Sequence, residues 1–338
     1  MRHRRRKNTF VAIVLTAFMG LALAAGAIGG SSGNPNLAAF KLAPWIKDHV
    51  KSGKITIRYI TNDTSIAFVK PQRVGVAKAA AQLKINATLV GPPTGKAEDQ
   101  ISLMQTLITQ KKVDGIAVAA VNVDSLRPVI AQAYKAGIPV ISVFTDQPKS
   151  KQLAFVGSDL TAGGKFEGKS LAALLKGKTG KVVVVSVDAA AGWSNARMSG
   201  FKKGLAANKG LSIVGPLNTG TEPGQMYNAI QNAMQANPDA VAIASLDCCS
   251  LTGAAKWATT DGKGKGVVVV GHDALKSTLN SIKKGTIAFS ISQDPSGQTF
   301  SATKMLYDYL KFGKAPKTTL VPFLLVNKKN AATVPAEG

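Results

Sequence analysis

Cysteine is nearly absent from this chain of 338 residues: there are two, Cys248 and Cys249, and they are adjacent. A bond between neighbours encloses no chain, so disulfide stapling is excluded as a source of stability and packed cores must supply it. Histidine is equally sparse, with His3, His49 and His272 spread along the chain, which excludes a zinc site of the usual Cys/His spacing. Acidic residues number 18 against 42 lysines and arginines, a net charge of +24, five of those charges falling within the first seven residues. The basic residues beyond them are scattered, with no arginine-rich block and no basic stripe interleaved with aromatics. Such a charge suggests anionic partners, but that scatter argues for a solvated surface and against nucleic-acid binding. No Walker A sequence occurs, and the glycines of GSDLTAGG and DGKGKGVVVVG do not form the G-x-G-x-x-G turn of a dinucleotide site. A triad about His272 would need Ser245 or Cys248 as nucleophile, and neither sits in a nucleophile elbow or a cysteine-protease signature. The chain therefore reads as a non-enzyme, without cofactor or metal.

The N-terminus is informative. MRHRRRK is followed by the apolar run Phe10–Ala27, which ends in small residues at Ala22-x-Ala24 and Ala25-x-Ala27. A basic region, an apolar region and a small-residue cleavage site make residues 1–27 a secretory signal peptide. The alternative is an uncleaved anchor, since about 18 apolar residues can just span a bilayer. Nothing after residue 28 is apolar for long enough to do so. Cleavage would leave a protein in an oxidising compartment without lasting membrane insertion.

From Lys54 onward short apolar runs alternate with amphipathic ones. The strand candidates are ITIRYI, ATLVG, DGIAVAA, IPVISVF, LAFVGS, KVVVVSV, LSIVG, DAVAIAS, GVVVVG and TIAFSIS. Between them, 3.6-residue spacing predicts helices over Asp99–Lys111, Ser125–Ala136, Phe166–Leu175, Met198–Ala207 and Met226–Gln235. Continuous β-branched strands imply sheets covered on both faces, and the alternation implies βαβ units with parallel strands. About ten strands exceed one comfortable sheet. The expected fold is α/β, with two similar doubly wound parallel-sheet lobes. Ligands of such sheets bind beyond the carboxyl ends of the strands.

Residues 54–328 resemble the type I periplasmic sugar-binding proteins of ABC importers, the group that includes the ribose-binding protein. The resemblance rests on KVDGIAVAAVNVDSLRPVIAQAYKAGIPVISV, FVGSDLTAGG, GWSNARMSGFKKGL, VVGHDA and ISQDPSGQ in that order; VGPPTGKAEDQISLMQTLI resembles the rhamnose- and autoinducer-2-binding branch. The resemblance implies three hinge crossings, near Gly157, Asp294 and Thr318. The domains would then be a linker and short leader helix at 28–53, an N-terminal lobe of 54–157 plus 294–318, a C-terminal lobe of 158–293 plus 319–330, and a tail at 331–338. It further implies a monomeric periplasmic protein that closes on a small carbohydrate and delivers it to an inner-membrane ABC permease. The alternatives are a binding module for a chemoreceptor or sensor kinase, and an α/β enzyme acting on a sugar or nucleotide.

Sugar hydroxyls call for planar charged or amide groups, and ring faces call for aromatics. By resemblance Arg197 is the sugar arginine, Asp273 the acceptor after strand GVVVVGH, Gln293 the amide at the return hinge and Asp247 the counterpart of a ligand asparagine. The first lobe departs from the family pattern. Phe68 stands alone where two aromatics are usual, with Asn62 and Ser65 as polar candidates in the same loop. Phe144 occupies the usual position of an aspartate, and the acid comes later, at Asp146. Trp193 is the candidate facing plate. Cys248 and Cys249, after strand DAVAIAS, are expected to wall the pocket beside Asp247, as a vicinal disulfide or as two thiols.

Overall fold

The computed structural model describes residues 34–260 and 262–337; the stretch read as an export signal lies outside them. Ten parallel strands and their helices build two lobes. In the first, β1 (Thr56–Ile60), β2 (Asn86–Val90), β3 (Gly115–Val118), β4 (Val140–Val143) and β5 (Ala154–Gly157) are separated by α3 (Val69–Leu83), α4 (Ala97–Thr109) and α5 (Val123–Lys135). In the second, β6 (Gly180–Ser186), β7 (Leu211–Asn218), β8 (Ala240–Ser245), β9 (Val268–His272) and β10 (Phe289–Ser292) alternate with α7 (Gly192–Leu205), α8 (Pro223–Gln235), α9 (Cys248–Thr259) and α10 (Lys276–Lys284), after α6 (Leu160–Leu174). Two short strands complete the sheets, β11 (Thr319–Leu320) parallel to β5 and β12 (Leu324–Asn327) antiparallel to β10. The sheet orders are β11-β5-β4-β3-β1-β2 and β12-β10-β9-β8-β6-β7. These are the two doubly wound α/β lobes that the alternation predicts.

Burial explains the strand composition. β3, β4, β5 and β10 are buried at every residue, as strands covered on both faces must be. Along β6 the period of two divides the second lobe: Val183 and Val185 join the cluster containing Met226, Leu251 and Trp257, whereas Val182 and Val184 join Leu171, Met198 and Phe201 on the other face.

The chain passes between the sheets after Gly157, between β10 and α11 (Pro295–Phe312), and between β11 and β12. The last passage comes after Leu320, so Thr319 and Leu320 belong to the first sheet and not to the C-terminal lobe in which the sequence places them. The supposed linker and leader helix is also more ordered than expected. Residues 34–51 form α1 (Pro35–Ala39) and α2 (Pro44–Lys51), and Ile46 is fully buried in the first core. Asn34 Nδ2 donates to Leu153 O at 2.7 Å, the Tyr134 hydroxyl donates to Asn36 O at 2.7 Å, and His49 Nδ1 lies 2.9 Å from Asp114 Oδ1. The stretch read as a tail returns to the second lobe. The Glu337 N–H donates to Ala274 O at 3.0 Å, and its buried carboxylate accepts from the Ala274 N–H at 2.5 Å and from Ser292 Oγ.

Candidate functional site

The loops beyond β1, β2, β3 and β4 and those beyond β6, β7, β8, β9 and β10 converge on one cavity of about 350 Å³ between the lobes. Nearly every lining residue follows the carboxyl end of a parallel strand, where the topology places binding sites. Phe144, Asp273 and Asp294, just beyond β4, β9 and β10, hold left-handed backbones with φ of 63°, 69° and 52°. Such a conformation costs a non-glycine residue roughly 1–2 kcal/mol, and it turns the chain sharply at each strand end.

Arg197 dominates the second-lobe wall. It sits in the second turn of α7, which begins at Gly192. Its position depends on backbone-to-backbone packing of α6 on α7: a Cβ at Gly164 would lie 1.9 Å from Arg197 O, and one at Gly200 would lie 1.9 Å from Thr161 O. Arg197 is 5% exposed, donates from Nη1 to Leu246 O at 2.6 Å, and stands 5.6 Å from the Trp193 ring. Its Nε has no protein partner, and it forms no ion pair among the described residues. A buried guanidinium left with a free donor suits neighbouring ligand oxygens.

Asp273 Oδ1 accepts from Gln293 Nε2 at 2.8 Å, and Gln293 Oε1 is buried without a partner. Burial lifts the Asp273 pKa to about 6 against the opposing pull of Arg197 and the Gln293 amide, with Asp247 adding to the rise. Beneath the wall, His272 Nε2 lies 3.1 Å from Glu167 Oε2, both fully buried. Burial holds Glu167 well above the usual carboxyl range although Arg197 opposes it; burial, then Arg197, holds His272 well below the imidazole range. The pair is therefore neutral packing under the arginine. Ser245 Oγ is bonded to Ser250 and to Asp247 O, so neither Ser245 nor His272 is arranged as nucleophile and base.

Asp247 lines the cavity, but its oxygens serve protein donors: Oδ1 accepts from the Cys249 and Ser250 N–H groups at 2.9 Å each, and Oδ2 accepts from the Val187 N–H at 3.0 Å and Ser250 Oγ at 2.7 Å. It is the N-cap of α9 and fastens the β6 loop to it. Asp247 and the two thiols come within 4.8 Å of one another, yet a carboxylate with four donors has little left for a metal. The Cys248 and Cys249 sulfurs are unbonded, 3.3 Å apart, and form part of the wall.

On the first lobe, Phe68 and Phe144 pack with ring centroids 5.0 Å apart and an interplanar angle of 54°, and Asn62 lines the cavity beside them. Two expected residues are not brought in. Ser65 is exposed and donates from N and Oγ to Asp63 Oδ1 at 2.7 and 2.6 Å. Asp146 is exposed beyond the turn at Phe144, where it accepts from Gln152 Nε2 at 2.6 Å. The sequence reading missed Asp63, Thr94, Thr145, Asp188 and Thr221, which also line the cavity. Their signal was position alone, since each follows a strand end.

The periplasmic binding protein domain family matches residues 55–315. This chain is a member of the periplasmic binding protein family. Two curated family members align along much of it. The ribose import binding protein RbsB of Bacillus subtilis is 25% identical over 87% of this chain and 95% of its own length. The xylose/arabinose-binding protein XylF of Sulfolobus acidocaldarius is 24% identical over 75% of this chain, which spans 66% of that relative. A solved ABC transporter solute-binding protein from Burkholderia graminis, in complex with D-arabinose, superposes with a TM-score of 0.78 at 24% identity, covering 83% of this chain and 97% of that one. The two-lobed architecture is thus the type I fold of periplasmic binding proteins. Among the described residues no helix is long and apolar enough to cross a membrane.

Proposed function

We propose that this protein captures a small neutral carbohydrate in the periplasm and delivers it to an inner-membrane ABC permease. The observation that carries the reading is the division of labour across the cleft. Arg197, Asp273 and Gln293 line the second-lobe side with a guanidinium, a carboxylate and an amide, while Phe68 and Phe144 line the first-lobe side with aromatic rings. A pyranose or furanose has the matching pair of features, a hydroxyl edge and a C–H face. The cavity, about 350 Å³, lies within the range of roughly 300–1,000 Å³ typical of small-molecule sites. Ligand contacts from both lobes favour the closed form only when both sets are made, which gives a permease a state to recognise. Residues 1–27, read as an export signal, support the periplasmic placement. The names of the ribose- and pentose-binding relatives support the substrate class without selecting one sugar.

A thermal-shift screen of pentoses, hexoses, polyols, nucleosides and amino acids tests the reading. A raised melting temperature with at least one monosaccharide is expected. A shift produced by an amino acid or nucleoside and by no carbohydrate would overturn the substrate class.

A further inference from the structure

The adjacent thiols are reactive groups in the cleft that sugar capture leaves unused. Cys248 is buried and Cys249 half-buried, both face the cavity, and their sulfurs lie 3.3 Å apart without a bond. They are the first two residues of α9. Although the sulfurs approach each other, the Cα atoms of these neighbours, about 3.8 Å apart, fall short of the roughly 4.4–6.8 Å of ordinary disulfides. Closing a bond of about 2.05 Å therefore requires the peptide between them to leave helical geometry. That peptide contributes the Cys249 N–H, which donates to Asp247 Oδ1 at 2.9 Å. Asp247 also accepts from Val187, on the loop leading to α7, and the residue before it, Leu246, supplies the carbonyl that receives Arg197 Nη1. The first turn of α9 and the ligand arginine thus share one hydrogen-bonded unit.

We propose that Cys248 and Cys249 form a thiol–disulfide modification site inside the cleft, oxidised by a small-molecule disulfide to a vicinal disulfide that disrupts the start of α9 and weakens ligand binding. The exchange balances in two steps. The more accessible Cys249 thiolate attacks the oxidant RSSR, forming a mixed disulfide and expelling RS⁻, which takes the proton lost by Cys249. Cys248 then attacks Cys249 Sγ, expelling a second RS⁻ that takes its proton. Two thiols are oxidised, and one disulfide is reduced to two RSH. The order follows from access, since Cys248 lies behind Cys249. Ring strain makes the product easier to reduce than an ordinary bridge, so the modification is reversible. Its effect on affinity rests on the sugar-binding reading; the thiol chemistry does not.

The test treats the full chain with oxidised glutathione, then alkylates with iodoacetamide and measures intact mass. Wild type should lose two hydrogens, keep no glutathione and take up no alkyl group; Cys248→Ser should retain one glutathione on Cys249, and Cys249→Ser none. A stable glutathione adduct on wild type, or two alkylated thiols, would overturn the modification site. In the second arm, D-ribose, D-arabinose and D-xylose are titrated into reduced and oxidised protein. Binding should weaken about tenfold or more on oxidation, a difference of about 1.4 kcal/mol, and recover with dithiothreitol. The double variant Cys248→Ala/Cys249→Ala should show no difference between the two treatments. Equal wild-type affinity before and after oxidation would overturn the gating. The same comparison is made with any other monosaccharide that raises the melting temperature in the screen; if none of them binds reduced protein, the carbohydrate reading and the gating built on it both fail, while the mass result still decides the thiol chemistry.

Discussion

Replacing Glu337 by glutamine should remove a pH dependence of stability that the C-terminal segment creates. Burial, together with the negative charge of Asp273, lifts the Glu337 pKa from an ordinary 4.5 to about 8, against the pull of Ser292 and the Ala274 N–H, with Asp294 adding to the rise. The folded state therefore holds this proton more tightly than the unfolded chain. The contribution to stability is complete below about pH 4.5 and is lost as the pH climbs through about 8. At about 1.4 kcal/mol per pH unit, keeping an ionised Glu337 in place costs on the order of 4–5 kcal/mol. The segment after Asn330 buries only Ala331 and Glu337 among its described residues, so it can undock and solvate the carboxylate. Undocking limits the visible loss to on the order of 1–3 kcal/mol, a few degrees in melting temperature. Asp273 and Glu167, also raised, act in the same direction, so the difference between variant and wild type isolates Glu337. Melting temperature followed from pH 5 to 9 by scanning fluorimetry is the assay. Wild type should lose stability more steeply than Glu337→Gln as the pH rises from 5 toward 7, and the two curves should run parallel beyond that. Parallel curves for the two proteins across the whole range would refute the reasoning.

Sugar affinity should fall as the pH drops through about 6, where Asp273 takes up a proton, and Asp273→Asn should bind more weakly at pH 7.5 with that dependence gone, as calorimetry would show. Gly164→Ala should destabilise by roughly 1–3 kcal/mol in urea unfolding, because the added methyl meets Arg197 O at 1.9 Å and the helix-propensity gain of alanine cannot offset a backbone collision. Asp114→Ala should loosen the leader helices, since Asp114 holds both His49 and the Thr56 N–H; faster hydrogen exchange over residues 44–56 is the expected sign.

The lobes were legible because their central strands are continuous apolar runs that only two-sided burial explains. β11 escaped because it is two exposed residues, and β12 because it is only four residues long and its apolar Leu324–Val326 is followed by no helical or strand period. The early turns of α6 and α7 escaped for a reason that bears on function. Gly164, Gly168, Gly200 and Gly204 let the two backbones touch, so these helices pack through residues that leave no hydrophobic period. At the site, Arg197, Asp273 and Gln293 were marked by the family resemblance, and all three line one cavity. Asp247 shows where residue type misleads: it lines the same cavity, but its lone pairs hold the protein together. Glu337 could not have been found, because an acid near a chain terminus reads as a solvated tail until the fold covers it.

A sugar held between the lobes should depend on the Arg197 guanidinium, which lines the cavity with Asp273 and Gln293. Calorimetric titration of wild type and Arg197→Met with a panel of pentoses and hexoses tests it most directly, with melting curves to confirm that the variant is folded. Loss of charge-assisted hydrogen bonds worth roughly 1.5–3 kcal/mol each predicts that at least one sugar binds wild type and binds a folded variant about ten- to a hundredfold more weakly. A wild type that binds none of them, or a folded variant that binds the same sugar equally well, would contradict the account.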